Sequence, residues 1–195
     1  MNSDDTDDEV PGSHHLGPHV ERFDDIIDRL LERVRGYPVA DRVFTTASHV
    51  GDFSAIWHGI NLLIGFAERK PRRVLTFAAL IGLESLVVNQ GIKRLFRRPR
   101  PTTTGDDGLR VRTPSTSSFP SGHASSATFA AALLAPRVTG AFPLALRATA
   151  GIVATSRAYV RIHHASDVVA GFFTGALLVA GTRRILRRVG AADLI

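Results

Sequence analysis

Five blocks of almost continuous apolar residues, separated by short basic loops, fill the chain from residue 53 onward. They cover residues 53–67, 73–92, 122–136, 141–159 and 168–185. Most are shorter or more polar than an ideal bilayer span of about 20 residues, and each taken singly is also compatible with the core helix of a soluble protein. Five helices that are apolar on all sides leave too little polar surface for a soluble bundle. The pattern therefore predicts an all-α, polytopic membrane bundle with five to six helices crossing the bilayer.

Two segments of different character precede the apolar blocks. Residues 1–20 are acidic and contain Pro, Gly and Ser without an apolar period, which predicts a disordered tail. In residues 21–37, apolar residues recur at helical spacing, and they are Phe23, Ile26, Ile27, Leu30, Leu31 and Val34. This predicts an amphipathic helix that lies in the membrane interface or packs as an ordinary surface helix. Residues 38–195 then form the membrane domain.

Composition narrows the classes of partner and of chemistry. The net charge is +6, and arginine supplies 22 of the 24 basic residues. Such a balance indicates contact with nucleic acid, an anionic membrane surface or a phosphorylated substrate. Because the chain has no cysteine, thiolate catalysis, disulfides and cysteine zinc sites are excluded.

If every block crosses the bilayer, residues 93–121 and residues 160–167 form loops on one side of it. With the candidate site residues set aside, nine basic residues lie on the opposite side and six on this one. The difference favours an extracytoplasmic position for these two loops. Trp57, His49 and His58 are expected as interfacial anchors. Glu84 and Arg147 are expected to pair with each other or to mark loosely drawn limits of their blocks.

The first of these loops carries cations and the start of a helix. Pro99 and Pro101 hold Arg100 in extended backbone a few residues beyond Lys93. Further along, Pro120 precedes a first turn of Ser121, Gly122 and His123. Free amides at a helix N-terminus bind anions, so this turn is a candidate phosphate site.

The second loop follows Arg157 and places His163 four residues before Asp167. On a helical turn the carboxylate would lie beneath the imidazole and leave its other nitrogen basic. Asp167 is equally well interpreted as the N-terminal cap of the last helix. Two imidazoles, a carboxylate, three cations and a helix start on one side of a bundle indicate phosphoryl transfer without a metal ion.

Taken in order, the three segments resemble the signature of the type 2 phosphatidic acid phosphatase superfamily. The elements are Lys, six residues, Arg-Pro; then Pro-Ser-Gly-His; then Ser-Arg, five residues, His, three residues, Asp. Here they fall on Lys93 with Arg100 and Pro101, on Pro120 to His123, and on Ser156, Arg157, His163 and Asp167. The resemblance covers residues 51–188 and implies a membrane phosphatase that needs no cofactor and no metal.

Roles for the candidate residues follow from the resemblance. His163 is the expected nucleophile, Asp167 its orienting partner, and His123 the proton donor that later activates water. The expected phosphate-binding residues are Lys93, Arg100, Ser121, Gly122 and Arg157. This sequence departs from the family pattern at His164, a second imidazole beside the nucleophile, and in its five clear blocks where the family has six helices.

Two other function classes stay open at this level. One is an enzyme similar to vanadate-dependent haloperoxidases, and the other is a non-catalytic membrane protein that binds anionic lipids. The leading hypothesis is hydrolysis of a lipid phosphate or diphosphate through a phosphohistidine. Candidate substrates are phosphatidate, phosphatidylglycerol phosphate and polyprenyl phosphates or diphosphates. The expected partners are this lipid and the bilayer of the cell membrane, without nucleic acid.

Overall fold

A computed structural model of the protein describes residues 16–101, 109, 111 and 115–195, and within these ranges it is helical without a β-strand. The described α-helices are α1 (Pro18–Glu32), α2 (Pro38–Gly51), α3 (Ala55–Glu68), α4 (Pro71–Leu86), α5 (Gly122–Leu134), α6 (Phe142–Tyr159) and α7 (Ala165–Arg188). The predicted all-α class is confirmed. Residues 1–15 of the predicted tail lie outside the described residues, and α1 begins within the rest of that segment.

The five apolar blocks correspond to α3 to α7. Helix α4 continues into a π-helical turn, Val87–Gly91, and a 3₁₀ turn, Ile92–Leu95, so that Pro71–Leu95 forms one 25-residue helical stretch. Among the described residues, this stretch and Ala165–Arg188 are long and apolar enough to cross a membrane. The number of crossings stays a prediction.

Helix α5 is the centre of the bundle, and most of its residues are buried. Its neighbour α7 approaches it so closely that side chains would not fit at two positions. A Cβ atom at Gly171 would lie 2.4 Å from the carbonyl oxygen of Ser121, and one at Gly175 would lie 2.3 Å from that of Ser125. The small residues of these blocks therefore allow two helix backbones to touch, as is common in membrane bundles.

Helices α1 and α2 both lie against the end of the bundle where α6 terminates. The Arg35 guanidinium donates to the carbonyl oxygen of Tyr159 at 2.8 Å. The ring of Phe44 stacks on that of Tyr159 with 4.3 Å between centroids, and Ser48 accepts a hydrogen bond from Arg157. Neither helix runs alongside the bundle to its other end.

An ion cluster marks the opposite end of the bundle. Glu68, the last residue of α3, accepts from Arg73 at 2.9 Å and from Arg137 at 2.7 Å. Arg73 also donates to the backbone of Asp193 near the C-terminus. The α3–α4 loop, the α5–α6 loop and the C-terminus thus share one end, which is the arrangement that alternating helices predict.

Two expectations about single residues are wrong. Trp57 is fully buried in the core and does not lie at an interface. Glu84 is also buried, but it accepts a hydrogen bond from Ser125, whereas Arg147 is exposed. Both errors have the same cause. Hydropathy predicts where a residue lies along a membrane helix, but it does not predict whether the side chain faces a neighbouring helix or the outside of the bundle.

Candidate active site

A cavity of about 540 Å³ opens at the end of the bundle that carries α1 and α2. Its walls include five of the residues proposed from sequence, namely Lys93, Gly122, His123, Arg157 and His163. These residues come from four separate parts of the chain. The fold therefore brings together groups that the sequence only places on the same side of a bundle.

His163 is 2% exposed and lies between a cation and a carboxylate. Its Nε2 atom is 3.2 Å from Nη1 of Arg100, and its Nδ1 atom is 3.6 Å from Oδ2 of Asp167. A guanidinium only donates hydrogen bonds, so Nε2 must present a lone pair and Nδ1 must carry the hydrogen. The ring therefore directs the lone pair of Nε2 toward the guanidinium of Arg100.

Burial and the nearby cations Arg100 and Lys93 lower the pKa of His163 to about 3, although Asp167 opposes the shift. A protonated imidazole has no lone pair on Nε2 and is no nucleophile. Because the folded-state pKa lies below the usual value near 6.5, the ring is neutral at neutral pH. The site therefore keeps this histidine in its reactive form.

Asp167 both caps α7 and faces the imidazole of His163. The two contacts that were predicted as alternatives for this residue therefore occur together. It lies in the first turn of α7, where Oδ2 accepts the backbone N–H of His164 at 2.9 Å. Ser118 donates to the same oxygen. The ring of His164 is directed instead to the carbonyl oxygen of Pro99, at 3.3 Å. Of the two neighbouring imidazoles, His163 is therefore the one that faces the Asp167 carboxylate.

A buried arginine behind the site was missed from sequence. Arg98 donates to Asp167 at 2.5 Å and to Asp24 of α1 at 2.7 Å, and all three side chains are at most 8% exposed. Asp24 also accepts the backbone N–H and the hydroxyl of Ser166. Arg98 belongs to a run of arginines that resembles a topology signal, so nothing in its local sequence distinguishes it. The network fixes α1 to the start of α7.

The three cations that are expected to bind phosphate differ in how they are held. Arg100 donates to the carbonyl oxygens of Ile162 and Thr116, at 2.9 and 3.0 Å. Arg157 is 1% exposed; its Nη1 donates to Ser48, whereas Nε and Nη2 have no hydrogen-bond partner within the described part of the chain. Buried donors without acceptors are costly, which indicates that a ligand supplies the acceptors. Lys93 is 6% exposed in the turn after α4.

The start of α5 supplies backbone more than side chain to the site. The Ser121 hydroxyl accepts from the backbone N–H of Ala124 at 3.4 Å and is fully buried, so it acts as a helix cap and does not line the cavity. Gly122 lines the cavity beside Asn89, where a Cβ atom would lie 3.1 Å from the amide oxygen. The Ser121 amide donates to the carbonyl oxygen of Asp167, so Gly122 and His123 are the residues of this turn that line the cavity.

Comparison with known proteins agrees with this geometry. Residues 73–190, more than half of the chain, match the model of the PAP2 superfamily. The chain belongs to this superfamily. The resemblance found in the three sequence segments is thereby confirmed, and this PAP2 protein is a member of a family of phosphatases, enzymes that hydrolyse phosphate esters.

Two curated relatives of this PAP2 protein carry the same name. Decaprenylphosphoryl-5-phosphoribose phosphatase of Mycobacterium tuberculosis is 38% identical over 133 residues, which are 68% of this chain and 73% of the relative. The Mycolicibacterium smegmatis protein is 39% identical over 127 residues, which are 64% of this chain and 67% of the relative. These relatives favour a phosphatase over a haloperoxidase or a purely lipid-binding protein.

A solved structure shows the same fold. It is described as the first transmembrane PAP2 type phosphatidylglycerolphosphate phosphatase from Bacillus subtilis, and it superimposes with a TM-score of 0.70. The match covers 89% of each chain at 24% identity. This likeness shows the fold of this PAP2 protein.

Proposed function

We propose that the protein hydrolyses a lipid phosphate through a phosphohistidine, without a metal ion. One observation carries the proposal. The neutral Nε2 of His163 lies against Arg100 at the wall of a cavity that also holds His123 and Arg157, two of whose nitrogens have no hydrogen-bond partner among the described residues. A nucleophile, a proton carrier and cations for the phosphate oxygens are the parts that metal-free phosphoryl transfer needs.

The reaction takes place in two displacements. In the first, Nε2 of His163 attacks phosphorus, the bond to the leaving oxygen breaks, and His123 in its protonated form gives that oxygen a proton. In the second, the now neutral His123 accepts a proton from water, the water oxygen attacks phosphorus, and the phosphorus–nitrogen bond breaks. Lys93, Arg100, Arg157 and the amide of Gly122 stabilise the charge of the phosphoryl oxygens in both steps.

The placement of the helices supports five crossings. With α1 and α2 at the site end, α3 to α7 alternate in direction, which leaves α1 on the side of the site and the end of α7 on the other. The predicted apolar stripe of α1 is 40–47% exposed at Phe23, Ile26, Leu30 and Val34. An exposed apolar stripe on a helix at this level suits the membrane interface. The excess of arginine at the opposite end favours an extracytoplasmic site.

The cavity wall favours a substrate with a hydroxylated head group. Beyond the cations, the wall combines apolar residues such as Phe53 and Ile81 with polar side chains, which are Asp52, Ser54, His58, Glu84, Ser85, Asn89, Gln90, Thr116 and Ser126. A simple alkyl phosphate offers these groups no partners, whereas a sugar offers a hydroxyl to each of several. Together with the names of the curated relatives, this supports a pentose 5-phosphate carried on a polyprenyl phosphate as the substrate.

Phosphate release by the purified protein in detergent tests the reaction class. We expect turnover of a lipid phosphate monoester in excess EDTA at the rate seen without chelator, with inhibition by vanadate, because the cavity provides cations where other phosphatases use metals. Strict dependence on a divalent metal would refute the mechanism. Absence of phosphate release from every lipid phosphate would refute the function.

A substrate panel tests the head-group proposal separately. Phosphatidate, phosphatidylglycerol phosphate, a polyprenyl diphosphate and a polyprenylphosphoryl pentose 5-phosphate are compared by kcat/KM. We expect the pentose substrate to be preferred by at least about tenfold, which corresponds to one or two additional hydrogen bonds. We also expect Glu84→Gln to reduce this preference while phosphatidate turnover stays within about twofold. Equal kcat/KM values for all four lipids would contradict the proposal without touching the reaction class.

A further inference from the structure

The link between α2 and α3 has an unusual backbone at the edge of the cavity. Phe53 and Ser54 are consecutive non-glycine residues in the left-handed region, with φ of 52° and 58°. Non-glycine residues seldom adopt this conformation, and such strain is often found at functional sites. The residue directly before this pair is Asp52, so the strained turn determines where its carboxylate lies.

The turn brings Asp52 to one of the two active-site imidazoles. Its Oδ1 atom is 3.0 Å from Nε2 of His123, although the two residues are 71 positions apart in sequence. The approach depends on the preceding glycine, because a Cβ atom at Gly51 would lie 2.8 Å from the His123 ring and 3.0 Å from Val153. The contact therefore depends both on the left-handed backbone at Phe53 and Ser54 and on the close packing at Gly51.

The contact leaves a definite nitrogen for chemistry. A carboxylate accepts from Nε2–H, so Nδ1 is the nitrogen that is free to exchange a proton. Nδ1 makes no hydrogen bond to any residue that the structure describes, and the ring lines the cavity. His163 is likewise faced by a carboxylate, through Asp167. The site thus holds two Asp–His pairs with different roles in the proposed reaction. His163 must be neutral to attack phosphorus, whereas His123 must carry a proton that it can donate.

Given the role of His123 in the proposed function, we propose that Asp52 is its positioning residue, orienting the imidazole through Nε2 and stabilising its protonated form as the proton donor to the leaving oxygen. The Asp52 carboxylate offsets an unfavourable effect of the surroundings on the protonated ring of His123. Burial of the ring, together with Arg157 from α6 and Lys93 from the turn after α4, disfavours a positive charge on it. His49 also interacts electrostatically with Asp52. Without Asp52, His123 would release its proton at lower pH.

Asp52→Asn removes the charge and keeps an oxygen that can accept from Nε2–H. We expect kcat/KM for a lipid phosphate to fall by about tenfold at neutral pH, a part of what general acid catalysis contributes. We expect the loss to grow as pH rises, so that the basic limb of the pH profile moves to lower pH. Asp52→Ala, which removes charge and hydrogen bond together, is expected to lose more at every pH.

Asp193→Asn removes the same charge at the other end of the bundle and serves as the matched control, with wild-type kinetics expected. Gel filtration and thermal unfolding in detergent give the folded fraction of each variant. A wild-type pH profile in Asp52→Asn, or an equal loss at every pH, would overturn the inference. A gain in activity would overturn it too, since Asp52 would then compete with the phosphate. Failure of the wild-type enzyme itself to release phosphate would refute the proposed function instead.

Discussion

We expect His163→Ala to reduce the rate of phosphate release by a factor of at least about 10³ while the fold stays intact. Removal of a nucleophile eliminates the covalent route, and other residues of the site cannot replace it. The ring is small and lies at the cavity wall, so its loss need not disturb the helices around it. Initial rates on a lipid phosphate, with thermal unfolding of the same sample, measure both parts of the prediction.

His164→Ala is the matched control for this variant. It removes an imidazole one residue away whose Nε2 lies 3.3 Å from the carbonyl oxygen of Pro99 and not against Asp167 Oδ2. We expect this variant to keep most of its activity. Acid-labile phosphate should be trapped on protein from radiolabelled substrate in the wild type and in His164→Ala, and not in His163→Ala. Activity of His163→Ala within tenfold of wild type would exclude the assignment.

Arg157→Met is expected to lose catalysis while the protein becomes no less stable. The guanidinium is buried, and two of its nitrogens have no partner among the described residues, so the free protein bears a desolvation cost without a compensating ion pair. In the transition state these donors meet the phosphoryl oxygens. We expect kcat/KM to fall by about 10³-fold, as for removal of a strong electrostatic contact. We also expect the melting temperature without ligand to stay equal or rise.

Arg98→Met provides the contrasting control for Arg157. Its guanidinium is buried to a similar degree, but it pairs with the carboxylates of Asp24 and Asp167. Removing it leaves buried carboxylates unpaired, at a cost of about 3 kcal/mol of unfolding free energy. Vanadate should raise the melting temperature of the wild type and of Arg98→Met more than that of Arg157→Met. A loss of stability in Arg157→Met as large as in Arg98→Met would contradict the explanation.

Much of the fold was predictable because hydropathy is a local property. The predicted blocks recur as α3 to α7, and the amphipathic segment recurs as α1. Helix α2 was not predicted, since its residues mix apolar side chains with threonine, serine and charged groups and form no continuous apolar block. Residues 102–108 of the loop before α5 lie outside the described residues.

The sequence by itself determined the chemistry that short spacings encode. The spacings predicted that Asp167 lies near His163 and that a helix begins at residues 121–123 after Pro120. Both features are present, although His163 precedes α7, which begins at Ala165, so the contact is made from the turn before the helix. Only the tertiary structure decided that Ser121 caps this helix, that Asp24 and Arg98 lie behind Asp167, and that Asp52 reaches His123. The contacts of Arg98 and Asp52 join residues 69 to 74 positions apart in sequence, and the contact of Asp52 also depends on close packing at Gly51. Helical periodicity specifies which side chains share a face, but the partner of that face depends on how whole helices pack.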